Sequence, residues 1–456
     1  MVVWALLAAT LLPLGCSSTR RPNIVLIVID TLRADHLSHY GYHRATAQSL
    51  DEFARTASLF TDCTSPAPWT VPSVASIMTG LHPVHHRLER LGFALPEQLS
   101  TVAEALREGG WNTAAISFNP AVRTDFGFAQ GFDLFEDHRG KLGAYPDIAK
   151  MVRRIDEWLD DEPSQPFFLY LQPMNVHGPY KVPARQRAVL LGRPPSRQFR
   201  YFREPMRSIM RKGRLDLRDE VDAAYVESLV DKYDTAVRYT TDQVARILAM
   251  LSRRELFDDT LIIITADHGE ELFDHGGFNH GTSMHGELLH VPLYVKMPGQ
   301  REGSRIAAPV SLLDLVPTIL EVAGLPSLPH IDGTSLVPLL EQPRATASFD
   351  GRPRVYHSAW RNHFVGSAIT SGNFKLVRID SNYERVTNEW RLYDLDTDPG
   401  EHSDLSQVHG EILSSLQDEL ERAISRYEKH AGPMPEDRRA LLDKDLDRLR
   451  ALGYVE

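Results

Sequence analysis

The chain has 456 residues, 42% of them hydrophobic, which is enough to bury a large core and to form more than one domain. Its 50 basic and 61 acidic side chains give a formal charge of −11, which argues against general binding of nucleic acid. Only two cysteines are present, Cys16 and Cys63, so a framework of several disulfides is excluded.

The N-terminal residues 1–14 are apolar and contain no Lys or Arg. Such a stretch is short for a membrane span and is typical of the hydrophobic part of a secretory signal. Leu14-Gly15-Cys16 resembles the end of a bacterial lipoprotein signal, which is cleaved before the cysteine and lipidated on its sulfur. We therefore expect a leader and tether over residues 1–20 and export to the bacterial cell envelope, in the periplasm or outer membrane. A lipid anchor through Cys16 is favoured over ordinary secretion and over an uncleaved anchor, and a cytosolic protein with an apolar N-terminal helix is the least favoured alternative.

The first predicted strand, residues 23–30, is a continuous apolar run that ends in Asp30. This pattern is typical of a buried parallel strand with a carboxylate at its C-terminal tip. From here on, strand-like and helix-like segments alternate. The alternation predicts an α/β fold in which helices cover a sheet.

Residues 67–80 predict a loop that turns into a short helix. Two flanking prolines fix φ and hold Thr70 at the helix entrance. Ser73 is the expected N-cap, and Gly80 is expected to end the helix. Because a helix N-terminus presents unpaired N–H groups, this entrance would suit a sulfate or phosphate group.

The middle of the chain continues the alternation. Residues 181–222 interrupt it, because they are basic, contain prolines and show weak periodicity. They predict a surface insertion, for which a solvated charge run is favoured over an anion-attracting patch. The regular elements predicted around the insertion are a helix over 100–110 with a capping-box pattern, a strand over 111–118, a helix over 147–160, a strand over 166–171 and a helix over 224–254.

A second apolar strand, beginning at residue 261, ends in Asp267 and His268. Ligands of open α/β sheets gather at the carboxyl ends of the strands. Asp30, Thr70, Asp267 and His268 would together make a mixed oxygen and nitrogen site for a divalent cation. The Thr70 oxygen would then both bind the cation and be poised to attack.

The last quarter of the chain predicts a separate small subdomain. Residues 21–341 are assigned to the catalytic domain, 342–430 to this subdomain and 431–456 to a charged helical tail. Short strand-like segments separated by turn residues predict an antiparallel sheet, and a helix is expected to pack on it. The segments are 354–357, 365–370, 374–378 and 391–394 for the strands and 408–429 for the helix.

Several ordered sequence blocks resemble the sulfatase family of the alkaline phosphatase superfamily. The resemblance implies a large, mixed but mostly parallel sheet sandwiched by helices, a C-terminal antiparallel subdomain, and hydrolysis of an ester bond. It also implies that Asp30, Thr70, Asp267 and His268 hold one divalent metal ion. The blocks that carry it are RPNIVLIVIDTLRADHLSHYGY, WTVPSVASIMTGLHP, HGPY, ITADHGEELFDHGG and LYDLDTDPGEHSDL.

The chain departs from the resembled family at the nucleophile. Sulfatases carry there a Cys or Ser that is oxidised to formylglycine, followed by an Arg, whereas this chain has Thr70 and Val74. A hydrated formylglycine has two hydroxyls, so one can attack sulfur while the other collapses to expel sulfate. A threonine sulfate has no such exit, but water can open a phosphothreonine by attacking phosphorus. Thr70 therefore favours a phosphate or phosphonate ester as substrate.

Two further departures concern the metal. Thr31 stands where sulfatases usually have a second carboxylate, and His268 where they often have Asn. Since imidazole suits zinc or manganese better than calcium, Zn or Mn is favoured, with Ca or Mg as alternatives.

Histidines supply the remaining catalytic candidates. His177 follows the strand 166–171, and His280 stands where sulfatases place a substrate-binding Lys. Either could hold the oxygens of the anion or protonate the leaving alkoxide. For His275 and His285, solvent exposure is favoured over support of the site's ligands or of a second metal, and neither receives a role.

These features favour a hydrolase that cleaves phosphate or phosphonate esters through a metal-activated Thr70. The alternatives are a sulfuric ester hydrolase working without formylglycine, a phosphoethanolamine-type transferase, and a non-catalytic envelope protein that binds an anion. In each case the expected partner is an anionic ester or a similar anion, and nucleic acid is not expected.

Overall fold

The computed structural model describes residues 21–138, 146–161, 166–183, 186, 190, 223–344, 346–360, 364–382 and 385–441. The predicted leader with Cys16, most of the insertion 181–222 and the end of the tail, 442–456, lie outside the described residues.

A nine-stranded sheet forms the centre of the predicted catalytic domain, residues 21–341, which is called the catalytic part below. Its strands are β1 (Asn23–Val28), β2 (Ser58–Thr64), β3 (Asn112–Ser117), β4 (Leu134–Asp137), β5 (Phe167–Gln172), β6 (Thr260–Thr265), β7 (His290–Lys296), β8 (Ser304–Ile306) and β9 (Val310–Ser311). Their order is β8-β2-β7-β6-β1-β5-β3-β4, with β9 beside β2. Only β7 runs antiparallel to its neighbours in this sheet. The prediction of a mixed, mostly parallel sheet is confirmed.

Helices pack against this sheet, as expected for a parallel sheet buried on both faces. The described α-helices of the catalytic part are α1 (Asp51–Thr56), α2 (Thr70–Thr79), α3 (Pro83–His86), α4 (Val102–Glu108), α5 (Ile148–Asp161), α6 (Ala223–Arg253), α7 (Gly286–Leu289), α8 (Leu315–Ala323) and α9 (Val337–Glu341). Thr101 and Glu104 form the capping box predicted at the start of α4. Among the described helices, none combines the length and the apolar character that crossing a membrane requires.

The register between β1 and β6 positions the candidate site. All residues of both strands are buried, and Val28 pairs with Thr265. Asp30 and Asp267 each lie two residues beyond this last pair. Because the strands are parallel, both carboxylates emerge at the same level of the same sheet edge.

The C-terminal part is a four-stranded antiparallel meander with one long helix. Its strands are β10 (Arg354–Trp360), β11 (Phe364–Ser371), β12 (Phe374–Asn382) and β13 (Arg385–Asp394), and its helix is α10 (Gly410–Lys429). Alternating residues point to opposite faces of the sheet. One face, with Ala368 and Val377, packs on Met284 and Leu289 of the catalytic part, while the other face, with Ile369, packs on α10 through Leu420.

The tail differs from its prediction. Residues 431–456 were expected to be helical, but Glu436–Asp437 forms a short strand that pairs with Phe93–Ala94. A 3-10 turn follows at Arg439–Leu441. The tail therefore docks on the catalytic part by backbone pairing over the residues described.

Candidate active site and metal centre

Three side chains that could bind a metal meet at the tips of β1 and β6. The ligand atoms of Asp30, Asp267 and His268 all lie within 4.8 Å of one another. All three side chains are completely buried. The structure therefore brings together the charged residues that the sequence analysis selected as metal ligands.

Hydrogen bonds orient one oxygen of each carboxylate. The backbone amides of Thr31 and His268 donate to Asp267 Oδ1 at 3.2 and 3.0 Å. Gln172 Nε2 donates to Asp30 Oδ2 at 3.1 Å, and Asn119 Nδ2 donates to the same oxygen. Asp30 Oδ1 is buried without a hydrogen-bond partner among the residues that the structure describes.

The two carboxylates disfavour each other's charge. Burial, and after it the charge of Asp267, raise the pKa of Asp30 to about 6. Burial raises the pKa of Asp267 to about 7, although backbone amides and the Thr70 hydroxyl donate to it. Two buried carboxylates that repel each other are stabilised when a cation lies between them.

His268 is oriented to present a lone pair to this site. Its Nδ1 lies 2.8 Å from the carbonyl oxygen of Gly269, which can only accept, so Nδ1 carries the proton. Burial lowers the pKa of His268, which favours the neutral ring. Nε2 is then an acceptor, and it lies 3.1 Å from Thr70 Oγ1.

Thr70 is the first residue of α2 and is fully buried. Its hydroxyl lies between His268 Nε2 and the Asn119 amide, whose Nδ2 is 3.5 Å away. The predicted cap by Ser73 is wrong, because the helix begins three residues earlier and the Ser73 hydroxyl donates to the Asp267 carbonyl at 2.6 Å. Gly80, with φ of 70°, ends the helix as predicted.

His177 and His280 lie next to this group. The ring centroids of His268 and His280 are 4.5 Å apart, and those of His177 and His280 are 5.0 Å apart. His177 Nδ1 donates to the carbonyl of Gly178 at 2.8 Å. The structure thus brings all six predicted site residues into one buried cluster, while their catalytic roles remain predictions.

The residues present fit a divalent cation. They offer carboxylate oxygens, one imidazole nitrogen and a hydroxyl, which is a common donor set for zinc or manganese. Asp30 Oδ1, buried and without a described partner, supplies an acceptor that a cation would satisfy. A cation between Asp30 and Asp267 would also offset the repulsion between their two carboxylates.

Three residues of the site were missed by the sequence analysis. Asn119 and Gln172 contact Asp30, and Glu270 contacts His280. Asn119 and Gln172 lie at or just after the ends of the central strands β3 and β5. Their position at the carboxyl edge of the sheet was the available signal, since polar residues there face the ligand site.

His275 and His285 are not solvent-exposed, contrary to the prediction. Their rings stack at 3.7 Å, and their side chains are only 16% and 11% exposed. His275 belongs to a second group of close ligand atoms with Glu271 and Glu287. However, His275 Nδ1 contacts Glu287 at 2.6 Å and Nε2 contacts the Glu401 carbonyl at 3.2 Å.

The protonation state of His275 bears on whether this second group could bind a metal. Burial opposes its charge, but the hydrogen bond and charge of Glu287 outweigh burial and raise the pKa of His275 to about 9. A doubly protonated imidazole has no lone pair for a metal. In this structure both ring nitrogens of His275 therefore contact acceptors, Glu287 and the Glu401 carbonyl, and His275 pairs with Glu287.

Comparison with known proteins shows what the chain is similar to. A family model described as Sulfatase matches residues 22–325, and one described as N-sulphoglucosamine sulphohydrolase, C-terminal, matches residues 273–429. The multifunctional alkaline phosphatase superfamily protein PehA of Trinickia caryophylli is 25% identical over 505 residues, covering 90% of this chain and 96% of that protein. Arylsulfatase K of Rattus norvegicus is 30% identical over 195 residues, covering 42% of this chain. That match spans 34% of arylsulfatase K, about a third of its length.

Solved structures show the same fold. The phosphonate monoester hydrolase of Agrobacterium radiobacter superposes with a TM-score of 0.73 at 21% identity, covering 89% of this chain and 96% of that chain. BT4656 in complex with D-glucosamine-2-N,6-O-disulfate has a TM-score of 0.73 at 20% identity, covering 90% and 99%. The family match over residues 22–325 shows that the chain belongs to the sulfatase family, a family of ester-hydrolysing enzymes.

Proposed function

We propose that this protein hydrolyses phosphate or phosphonate esters, with Thr70 as the nucleophile. The observation that carries the proposal is the position of the Thr70 hydroxyl, 3.1 Å from His268 Nε2 and hydrogen-bonded to Asp267. It lies at the N-terminus of α2, where backbone N–H groups favour an anion.

The proposed ligands of the metal ion are Asp30, Thr70, Asp267 and His268. Zn or Mn is favoured by the imidazole ligand, and Ca or Mg is the alternative. When bound, a divalent cation lowers the pKa of a ligated hydroxyl and stabilises negative charge on the reacting ester.

The proposed reaction has two displacements at phosphorus. The Thr70 hydroxyl gives up its proton to solvent, its oxygen attacks phosphorus, the bond to the leaving oxygen breaks, and His177 or His280 gives that oxygen a proton. Water then attacks the phosphothreonine and returns a proton to that histidine. The bond from phosphorus to the Thr70 oxygen breaks, the Thr70 oxygen takes a proton from solvent, and phosphate or phosphonate is released. Asn119 and Gln172 hold Asp30 in place during both steps.

A phosphorus ester is favoured over a sulfate ester on chemical grounds. Thr70 cannot be converted to formylglycine by oxidation of its side chain, because its Cβ carries a methyl group. Phosphothreonine, unlike a threonine sulfate, has a ready route of hydrolysis by attack at phosphorus.

Sulfuric ester hydrolysis is the second candidate. It is supported by the match of residues 273–429 to the C-terminal model of N-sulphoglucosamine sulphohydrolase. Phosphonate monoester hydrolysis is supported in a similar way by the phosphonate monoester hydrolase of Agrobacterium radiobacter, which shares its fold with this chain.

The test compares three substrates on the purified protein: an aryl sulfate, an aryl phosphodiester and an aryl phosphonate monoester. Each is assayed with added zinc, manganese or calcium. We expect turnover of at least one phosphorus ester to exceed that of the sulfate. Sulfate turnover far above both phosphorus esters would overturn the proposal.

The nucleophile is tested separately with Thr70→Ala and Thr70→Ser. Thr70→Ala should abolish turnover, while Thr70→Ser keeps the hydroxyl and should retain part of it. In the native enzyme, rapid quenching and mass spectrometry should detect a phosphoryl or phosphonyl adduct on the peptide that contains Thr70. Undiminished turnover by Thr70→Ala would rule out covalent catalysis at this residue.

We also propose that the protein acts in the bacterial cell envelope, on the basis of residues 1–20. Cell fractionation of the full chain and of a Cys16→Ser variant tests this. A lipid anchor predicts that the native chain partitions with membranes and the variant does not. Recovery of both in the cytoplasm would contradict export.

A further inference from the structure

We propose that Tyr233 is a positioning residue whose buried hydroxyl holds the turn after β1 in a left-handed backbone conformation, and that this turn sets Asp30 and Asp267 for cation binding. The inference rests on the proposed function, because it concerns residues that are proposed there as ligands of the metal ion. It adds a residue of α6 to the parts of the chain on which the site depends.

The turn directly follows the buried strand β1. The Leu32 amide donates to the Ile29 carbonyl at 3.3 Å, which closes a four-residue turn with Asp30 in its second position. The Ile29 amide donates to the Thr265 carbonyl at 2.8 Å, and the Asp30 amide donates to the Pro173 carbonyl at 3.2 Å. The main chain therefore fixes the first half of the turn against the ends of the neighbouring strands β6 and β5.

The third residue of this turn, Thr31, has an unfavourable backbone conformation. Its φ is 59°, in the left-handed region that glycine adopts freely. Other residues are disfavoured there because the Cβ atom crowds the following carbonyl oxygen, and a β-branched residue is an outlier. Such a conformation persists only where the surrounding structure holds it. A contact in the folded protein must therefore offset its cost.

The Tyr233 hydroxyl supplies this contact. It donates to the Thr31 carbonyl at 2.7 Å and accepts from the Arg33 amide at 2.9 Å. A hydroxyl has one hydrogen to donate and lone pairs to accept, so both bonds form at the same time. The Tyr233 side chain is completely buried. One side-chain atom thus holds the two main-chain groups on either side of Leu32.

The turn also presents an amide to the second carboxylate of the site. The Thr31 amide donates to Asp267 Oδ1 at 3.2 Å, while the carbonyl of the same residue is the group that Tyr233 binds. The backbone angles of Thr31 set the direction of its amide relative to its carbonyl. Relaxation of Thr31 to a negative φ would turn the amide away from Asp267 or displace Asp30, which precedes it. The placement of both carboxylates therefore depends on the conformation that Tyr233 holds.

Packing within the protein holds Tyr233 in its own position. Its ring contacts the rings of His36 and Tyr180 edge-on, with centroid distances of 5.0 and 5.5 Å. The next residue of α6, Asp234, lies 2.7 Å from His36 Nδ1 through its Oδ1 atom. The hydroxyl is thus placed by a long helix and its neighbours, and the turn is held against this fixed point.

A positioning effect must be separated from a general loss of stability. Without the hydroxyl, the Thr31 carbonyl and the Arg33 amide lose these buried hydrogen bonds, which lowers stability wherever it occurs in a protein. A purely structural role would leave the cation affinity of the folded protein unchanged. A positioning role would weaken that affinity, because the carboxylates would no longer be held in one arrangement.

The first experiment measures the cation affinity of the purified full chain by calorimetry, with zinc or manganese as the probe. In Tyr233→Phe we expect the affinity to fall at least about tenfold, as is typical for residues that orient metal ligands. Turnover of the phosphorus ester should fall with it at limiting metal concentration. An unchanged cation affinity in the folded variant would overturn the proposal.

Tyr40→Phe is the matched control. The Tyr40 hydroxyl also joins two main-chain groups, since it donates to the Phe60 carbonyl at 3.0 Å and accepts from the Leu293 amide at 2.7 Å. These groups belong to β2 and β7 and lie outside the turn. The control should lower the melting temperature and leave the cation affinity unchanged. An equal loss of affinity in both variants would overturn the proposal, because general destabilisation would then account for it.

A double-mutant cycle with Thr31 gives the decisive comparison. Glycine adopts the left-handed conformation without a crowded Cβ, so the turn of Thr31→Gly should no longer need Tyr233. In this background, Tyr233→Phe should cause less than about a threefold further loss of cation affinity. Thr31→Ala removes the hydroxyl but keeps the Cβ, so in that background Tyr233→Phe should cause its full loss. Equal losses in the glycine and alanine backgrounds would overturn the proposal.

The same cycle tests the proposal if Tyr233→Phe alone does not fold. Relief of the unfavourable φ in Thr31→Gly should then restore folding and cation binding to the double variant. A double variant that remains unfolded would overturn the proposal.

Failure of the inference and failure of the proposed function give different results. If the native chain binds no divalent cation or hydrolyses no phosphorus ester, the proposed function fails. If the native chain does both but Tyr233→Phe loses the same affinity in every background, only the assignment of Tyr233 fails.

Discussion

At the level of single residues, the main feature of the site is a pair of buried carboxylates, Asp30 and Asp267, that lie close together. A protein without a cation between them bears the cost of two charges that burial and mutual repulsion disfavour. Both pKa values are raised, to about 6 and about 7. The two carboxylates therefore lower the stability of the metal-free protein, and this is common at sites whose function requires a strained arrangement.

Asp30→Asn should therefore stabilise the metal-free protein while abolishing the stabilisation by metal. Because the pKa of Asp30 is higher in the folded state, the folded state binds more protons, and stability falls as pH rises between about 4 and 6. The variant lacks this fall and should gain roughly 1–3 kcal/mol at pH 8. Urea unfolding with and without metal measures both effects, and a less stable metal-free variant would contradict the prediction.

Gly269 shows how closely the backbone packs behind the proposed metal ligands. A Cβ added at this position would lie 1.9 Å from the carbonyl oxygen of Glu287. The Gly269 amide donates to the Leu288 carbonyl at 2.9 Å, so the two segments cannot separate without losing a hydrogen bond. Glycine is required here by close approach.

Gly269→Ala should displace the tip of β6 and with it Asp267 and His268. We expect a loss of about 1–3 kcal/mol of stability, typical of overpacking, and at least a tenfold weaker cation affinity. Gly410→Ala is the control, because a Cβ there meets nothing within 4 Å and its φ is not in the left-handed region. Calorimetric titration with metal gives the affinity, and an unchanged value in Gly269→Ala would contradict this explanation.

Among the contacts between structural elements, the most informative one joins the catalytic part to the C-terminal sheet. Glu401 accepts from Lys375 of β12 at 2.8 Å and contacts His285 of the catalytic part at 3.1 Å. Burial opposes ionisation of Glu401, but the charges and hydrogen bonds of Lys375 and His285 outweigh it and lower its pKa to about 2. One ionised side chain thus links the C-terminal sheet to the loop behind the active site.

This link predicts a specific pH dependence of stability. Because the folded pKa of Glu401 lies below its unfolded value, its contribution is present above about pH 4.5 and is lost as pH falls toward about 2. Glu401→Gln should be less stable than the native chain at pH 6, and the difference should shrink as the solution is acidified through this window. Urea unfolding at several pH values measures it, and a constant difference would contradict the assignment.

The behaviour of the whole molecule should depend on metal because the site joins distant parts of the chain. Asp30 and Asp267 follow two separate strands and Thr70 begins α2, so a cation held by these proposed ligands would crosslink the sheet and α2. A ligand that binds only the folded state stabilises it by mass action. At a free ligand concentration of a hundred times Kd, the free energy of unfolding rises by about 2.7 kcal/mol.

Removing metal with a chelator should therefore lower the melting temperature of the native protein, and re-addition should restore it. The size of the shift should rise with metal concentration. His268→Ala should lack the shift, whereas His290→Ala, which changes a histidine away from the site, should keep it. A melting temperature that is independent of chelator and metal would rule out a folded-state cation site.

Much of the site could be predicted because its residues follow recognisable elements. Asp30 and the pair Asp267-His268 end apolar strands, and Thr70 lies between prolines at a helix entrance. Asn119 was missed although its position just after β3 was a usable signal, and Glu270 was missed because its contact with His280 forms only in the folded hairpin of Glu271–Leu272 and Phe278–Asn279. His275 and His285 were placed wrongly, because their burial depends on the C-terminal sheet packed over them.

The amino-acid sequence alone determined the fold class and which strand tips carry the proposed metal ligands, because hydrophobic periodicity and strand ends are local properties of the chain. Only the tertiary structure decided what surrounds those ligands. The β1–β6 register, the hairpin that brings Glu270 to His280 and the contact of Ser73 with Asp267 all join residues far apart in sequence or depend on a turn geometry. Such contacts are set by the packing of the whole chain, and no local pattern encodes them.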